Sequence, residues 1–237
     1  MTYTIEPLGD EALIISFLPA DNPNIHKKAR IFAETIKENP FVGFIEEVCS
    51  YHTVTLYFIP QFEKGNGPLC YIKNHIEQIL ATLSSIQKNQ NHRKLQVPVC
   101  YDPRVGPDLE SLAEQLGYSV EDVIQLHSSP LYEVRFIGFS PGFPFFSGLD
   151  QRLAFPRKAT PRLKIAPGSV GIAGKQTGIY SLETPGGWNI IGKTPIELFN
   201  SKSPSPAFFR PGDLVKLIPL RFDEFIDWKG SRWQFEY

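Results

Sequence analysis

The chain has 237 residues, of which 42% are hydrophobic and 21% charged, and its formal net charge is −1. Those proportions are ordinary for a soluble globular protein, and a near-neutral charge argues against a dedicated nucleic-acid binder. No apolar run approaches the ~18 residues that span a bilayer. The N-terminus also carries acids where a signal peptide needs bases, so a cytoplasmic protein that binds no membrane is expected. Cys49, Cys70 and Cys100 are widely spaced with no CxxC pair. They suggest reduced, buried thiols rather than a disulfide frame or a metal site.

Residues 3–18 begin as a strand, turn at Pro7–Asp10 and continue in the apolar, β-rich run Ala12 to Leu18. Residues 24–39 predict a helix, because Ile25, Ala29, Phe32, Ala33 and Ile36 fall at helical spacing. Pro40 stops it. Residues 41–59 predict two strands, the second half-buried, since Val54, Leu56 and Phe58 alternate with Thr53, Thr55 and Tyr57. Residues 61–68 are a turn-rich loop, and 71–86 a second amphipathic helix. The order strand, helix, strand, strand, helix suggests an α+β sandwich of ferredoxin-like type. The polar stretch QKNQNHRK at 87–94 is the best linker, which places an N-terminal domain at 1–88 and a second domain at 89–237.

After the linker, Leu95 to Val99 predict a strand. Asp108 to Gln115 form a short helix ended by Gly117, and Ser119 caps another that runs to about His127, with Asp122 near the acidic place of a capping box. Pro211-Gly212-Asp213 make a turn before a closing strand at 214–218. Trp228 and Trp233 imply that the tail packs against the rest.

The stretch from Phe136 to Phe199 organises the second domain. It holds ten of the chain's 18 glycines, and prolines at 141, 144, 156, 161, 167, 185 and 195. Such punctuation excludes long helices and suits short strands joined by tight turns. Between Asp150 and Glu183 there is no acid but six bases: Arg152, Arg157, Lys158, Arg162, Lys164 and Lys175. That pattern reads either as a pocket for a small anion or as a solvated basic face on a β-barrel.

Several motifs invite chemistry. Gly138-Phe139-Ser140-Pro141-Gly142 matches G-x-S-x-G, but Pro141 lacks the oxyanion-hole N–H and no helix can readily follow. Gly174-Lys175-Gln176-Thr177 resembles the end of a P-loop, yet Ser169 and Gln176 stand where glycine and a magnesium-binding hydroxyl are required. The histidines show no ligand spacing. His127 reads as an acid or base near neutral pH or as a C-terminal helix cap. Asp108 reads as an N-cap or a catalytic carboxylate. Lys175, Gln176, Thr177 and Tyr180 are polar in a Gly, Ala and Ile setting, so they contact a ligand or form an internal hydrogen-bond network. Trp188 plugs a barrel or offers a stacking surface.

GFSPGFPFFSGLD, PRKATPRLKIAPGSVGIAGKQTGIY, TPGGWNIIGKTPIELF and PGDLV together resemble the family of the 5-oxoprolinase B subunit (PxpB). That family also holds the kinase A inhibitor KipI and was long labelled allophanate hydrolase subunit 1. VPVCYDPRVGPDLESLAEQLG, SVEDVIQLHS, LGDEALIISF and VGFIEEVCSYHTVTLYF also fit, so the resemblance covers nearly the whole chain. Ser140 departs from it, standing where relatives often carry an apolar residue, and Lys175 takes a variable place.

The resemblance implies a ferredoxin-like α+β N-terminal domain followed by a mainly β, cyclophilin-like barrel. It implies one component of an ATP-dependent enzyme that hydrolyses 5-oxo-L-proline to L-glutamate together with subunits A and C, ATP being used by the assembled complex. The alternative is an inhibitor that docks on a sensor histidine kinase; an allophanate hydrolase fits less well, since the amidase Gly/Ser-rich signature is absent. Under the enzyme reading His127 and Asp108 are the catalytic candidates. Arg157, Arg162, Gln176, Thr177 and Tyr180 are the substrate-binding candidates. Gly168, Gly174 and Gly178 would let backbone approach the ligand.

Overall fold

The computed structural model describes residues 2–20, 25–60, 68–83 and 92–228, and the chain divides into two compact units, 1–91 and 92–237. Residues 61–67 of the loop expected at 61–68, most of the linker at 87–94 and Trp233 lie outside the described residues.

The first unit opens with a hairpin, β1 (Thr2–Pro7) and β2 (Ala12–Leu18), paired antiparallel from Thr2↔Leu18 to Pro7↔Leu13. Helix α1 (Ile25–Glu38) follows, then strands β3 (Phe44–Cys49) and β4 (Thr53–Phe58) and helix α2 (Pro68–Thr82). The period-2 pattern works as expected: Leu13, Ile15 and Phe17 of β2 and Val54, Leu56 and Phe58 of β4 are wholly buried on one face. Ala29, Phe32 and Ile36 of α1 and Ile72, Ile76 and Leu80 of α2 join them in one core. The sheet order is β1-β2-β4-β3. A ferredoxin-like chain would add its fourth strand after the second helix; here β1, ahead of β2, takes that edge.

The second unit is a closed barrel with helices attached. Strand β5 (Lys94–Cys100) leads through a loop to helices α3 (Leu109–Leu116) and α4 (Val120–Ser128). Gly117 ends α3 with a left-handed φ of 74°, a conformation glycine adopts without Cβ strain. Ser119 and Asp122 form the expected capping box, with Asp122 N donating to Ser119 Oγ (3.1 Å) and Ser119 N to Asp122 Oδ2 (3.2 Å).

Next come β6 (Leu131–Ile137), β7 (Pro144–Ser147), β8 (Arg162–Ile165), β9 (Ser169–Ala173), β10 (Gln176–Ile179), β11 (Thr184–Gly186), β12 (Asn189–Lys193), β13 (Leu214–Leu220) and the short helix α5 (Phe222–Ile226). The barrel closes in the order β10-β7-β6-β13-β5-β12-β9, and β8 pairs with β11 in a separate two-stranded ribbon. The neighbours β5 and β13 run parallel. Arg93 ties the two together, since its Nε reaches Asp213 Oδ1 (2.9 Å) in the turn before β13. Val97, Val99, Val134, Phe146, Ile172 and Leu217 fill the barrel, and Leu109, Leu112 and Val123 cover it from the helices.

Candidate functional site

The loop after β5 carries Asp108 against the barrel wall. Gly106 makes this possible, because a Cβ there would overlap the main chain of Ile191. Asp108 N donates to Ile190 O (2.9 Å), and Ile190 N returns a bond to Asp108 Oδ2 (2.7 Å). Asp108 stands at the N-cap position of α3, yet its side chain makes no capping bond. The N-cap reading holds for the position and fails for the side chain: the carboxylate turns to β12 and the ribbon, where charged donors outcompete the helix amides.

Those donors come from a basic stretch at least 50 residues further on. Lys158 Nζ reaches Asp108 Oδ1 at 2.8 Å, and Arg162 grips both oxygens at 2.7 and 2.8 Å. Asp108 is only 3% exposed. Burial alone would push its carboxyl pKa up, but the bonds from Arg162, Lys158 and the Ile190 N–H together hold it below its ordinary value. The group is ionised, bidentate to arginine and satisfied, which is the geometry that lets a buried charge persist.

Arg162 also faces a cleft of about 270 Å³, lined among others by Arg104, Lys164, Ser169, Ile190 and Lys193. Arg104 pairs with Asp102 and lies 3.3 Å above the Phe222 ring of α5. Among the described residues no acidic side chain lines the cleft, so its potential favours anions. Arg104 and Lys193 were missed in the sequence because neither belongs to the basic run. The available signal was Lys193 itself, a lone charge ending the otherwise uncharged, buried strand β12.

Tyr180 sits beside this cluster, 1% exposed, edge-on to Phe143 and Trp188. Burial pushes its hydroxyl up to about 12, opposed by a bond from the Trp188 main chain and by the charges of Arg157 and Arg162. Gly186 has no room for a Cβ because the Tyr180 hydroxyl fills that space. Arg157 itself is exposed.

His127 belongs to a different network. It has no exposed surface, and burial pushes its pKa down to about 3. Its Nε2 lies 2.8 Å from Thr177 Oγ1, and Thr177 donates its one hydroxyl proton to Gly171 O (2.9 Å). Thr177 must then accept, so the imidazole carries its proton on Nε2 and its Nδ1 accepts from Tyr101 Oη at 2.7 Å. The ring is neutral and fully bonded. A neutral ring gains nothing from the helix dipole, and the C-cap of α4 is Ser129, so the capping reading is overturned.

The structure thus brings Asp108, Arg162 and Tyr180 together and sets His127 and Thr177 inside the barrel. Gln176 is half-buried at the start of β10, and Gly174 forms the left-handed turn (φ 58°) before it. That turn lies a full β9 strand from Ser169, about 16 Å at 3.3 Å per residue. A Cβ on Gly168 would overlap Thr194 O, and one on Gly178 would lie 2.6 Å from Pro144 O. Both positions are glycine because the protein's own backbone packs there; of the three candidates only Gly174 faces open space. Ser140 forms a turn, its Oγ 3.4 Å from Ser181 Oγ, and no helix follows it. Among the described residues, no helix is long and apolar enough to cross a membrane.

Residues 3–209 match the family model described as carboxyltransferase domain, subdomain C and D. A relative from Bacillus subtilis (strain 168), described as the B subunit of 5-oxoprolinase, is 39% identical over 96% of this chain and 97% of its own. The crystal structure of a conserved uncharacterized protein from Pyrococcus horikoshii is 38% identical, with a TM-score of 0.55, covering 94% of this chain and all of that one. The K. lactis urea amidolyase shares the fold at 20% identity and a TM-score of 0.72, covering 95% of this chain but 15% of that one. The match over most of its length places the chain in the carboxyltransferase subdomain C and D family, among the proteins related to the 5-oxoprolinase B subunit.

Proposed function

We propose that this chain is the B subunit of an ATP-dependent 5-oxoprolinase, which opens 5-oxo-L-proline to L-glutamate only when assembled with subunits A and C in the cytoplasm. The observation that carries the reading is the 39% identity, end to end, with a relative so described. The cleft supports it. 5-Oxo-L-proline is a small lactam with one carboxylate, and a cleft of about 270 Å³ with four lining cations suits a small acid. Arg162, held on both oxygens of the buried Asp108, is a cation whose direction is fixed before any ligand arrives, and such preorganisation is what a binding site needs. The finer fold names, ferredoxin-like for the first unit and cyclophilin-like for the barrel, go with this family reading.

A five-membered lactam is a stabilised amide, and ATP supplies the activation that opens it. The residues here do not fit ATP. The P-loop-like Thr177 is buried and committed to Gly171 O, no helix follows it, and the cleft is below the ~300–1,000 Å³ range of drug-sized ligand sites. We therefore place ATP on one of the partner subunits and give this chain the task of holding the acid. Asp108 acts on Arg162 and Lys158 rather than on substrate, and His127 serves the scaffold.

The test is ATP-dependent glutamate release from 5-oxo-L-proline by the co-expressed subunits, with a drop-out lacking this chain. The reading expects activity in the full set and none in the drop-out. A folded, assembled complex without activity would sink it and turn attention to kinase inhibition or another amide.

A further inference from the structure

We propose that Lys193 is the anchoring cation of the cleft, and that it takes the oxyanion of a small acid, a carboxylate or a phosphoryl group. The proposal rests on the reading of the cleft as the ligand site. Of the four cations that line it, three already have a carboxylate. Arg104 pairs with Asp102 at 2.6 Å, Arg162 with Asp108 at 2.7 Å and Lys164 with Glu183 at 3.0 Å. Among the described residues Lys193 forms no ion pair, and its side chain lines the same space.

Lys193 is also aimed by the fold. It ends β12 opposite Cys100 and Ser169, and the four residues before it are buried. Its stem passes Gly168, with Cγ and Cε each 3.5 Å from where a Cβ of that glycine would stand. Those are ordinary van der Waals contacts, so the stem runs alongside Gly168, where Thr194 O, overlapping the same point, leaves no room for a side chain. Ser169 adds a hydroxyl on the same wall.

The charge count points the same way. Asp108 serves both Lys158 and Arg162, so that cluster keeps one uncompensated positive charge, and Lys193 adds a second. A half-buried cation without a counter-ion pays for its lost hydration. An oxyanion in the cleft restores what both charges lack.

The experiment follows lysine side chains by NMR in the full-length chain after reductive 13C-methylation, which keeps the charge. The Lys193 signal is identified by its loss in Lys193→Arg. Three probes are titrated: 5-oxo-L-proline, inorganic phosphate, and 2-pyrrolidinone, which has the same ring without the carboxylate. The expected result is a saturable shift at Lys193 with one or both anions and none with 2-pyrrolidinone. In parallel, calorimetry of unmodified Lys193→Ala should show affinity for that anion reduced roughly ten- to hundredfold, the worth of one hydrogen bond to a charged group. Lys193→Arg should restore most of it.

A shift with phosphate alone would support the anchor and count against 5-oxo-L-proline as the ligand of this chain. Anion-dependent shifts at Lys158 or Lys164 with Lys193 unmoved would overturn the anchor while leaving the cleft reading intact. No saturable shift at any lysine with either anion would also overturn it, and glutamate release by the assembled subunits would then show separately whether the functional reading survives.

Discussion

The barrel unit buries two titratable groups in opposite ways. Asp108 is buried as an ion, because Arg162, Lys158 and the Ile190 N–H all donate to it. His127 is buried as a neutral base, because its partners Tyr101 and Thr177 carry no charge. Burial alone therefore does not mark a working residue. The charged cluster borders a cleft and keeps surplus positive charge, so it has something left to offer a ligand. The relay of hydrogen bonds from Tyr101 through His127 and Thr177 to Gly171 O satisfies its polar atoms internally and has nothing left over.

The largest expected effect breaks the charged side. Asp108→Ala would leave Arg162 and Lys158 as half-buried cations facing one another, a loss of about 3–5 kcal/mol for breaking a buried pair. Urea unfolding followed by tryptophan fluorescence reads it cleanly, since all three tryptophans (188, 228 and 233) lie in the barrel unit's sequence. A loss below ~1 kcal/mol, the scale of an exposed ion pair, would show that the cluster is not organised by Asp108.

The next effect separates the two regions by pH. The folded His127 has a pKa of about 3, against about 6.5 unfolded. The unfolded chain binds the extra proton, so stability is fully present above pH ~6.5 and falls by up to about 1.4 kcal/mol per pH unit below it. Asp108 has a folded pKa below its unfolded one, so its contribution is present above pH ~3.9 and is lost only as pH falls further. Between pH ~6.5 and ~4 the relay therefore responds and the Asp108 cluster does not. His127→Gln should flatten the stability slope in that window, and an unchanged slope would refute the neutral, buried imidazole.

Smaller losses sharpen the picture. Thr177→Val removes the donor to Gly171 O and the acceptor for His127, at about 1–3 kcal/mol for the polar atoms left unpaired. Gly186→Ala forces Tyr180 or Ile165 aside, since the new Cβ would stand 2.8 Å from Ile165 Cδ1. Overpacking of that kind costs about 1–3 kcal/mol. Because β11 pairs with β8, it should also shift Arg162 and weaken anion binding, which Thr177→Val should not.

What the sequence revealed and what it hid follow from the range of the interactions. Local patterns were legible: the buried stripe of α1, the alternation in β4, the Gly117 stop and the Ser119–Asp122 box each depend on residues within a turn or two. The site was half legible. The basic run read either as an anion pocket or as a solvated face, and it could not show that Arg162 meets Asp108 across 54 positions, or that Asp108 meets Ile190 across 82. His127 looked like a base near a glycine-rich loop because its partner Thr177 lies 50 residues away, and only barrel closure seals the ring between them. Lys193 and Arg104 stood outside any run, and their convergence is a product of the strand register.

If the cleft cluster meets the ligand and the His127 relay holds the barrel, substitutions in the two should part company. The deciding comparison is kcat/KM for glutamate release by the assembled complex carrying Arg162→Gln or His127→Gln, each at a temperature where it is fully folded. The expected result is a loss of roughly ten- to hundredfold or more for Arg162→Gln, the worth of a charged hydrogen bond, and near wild-type activity for His127→Gln. An inactive His127→Gln beside an unaffected Arg162→Gln would contradict it.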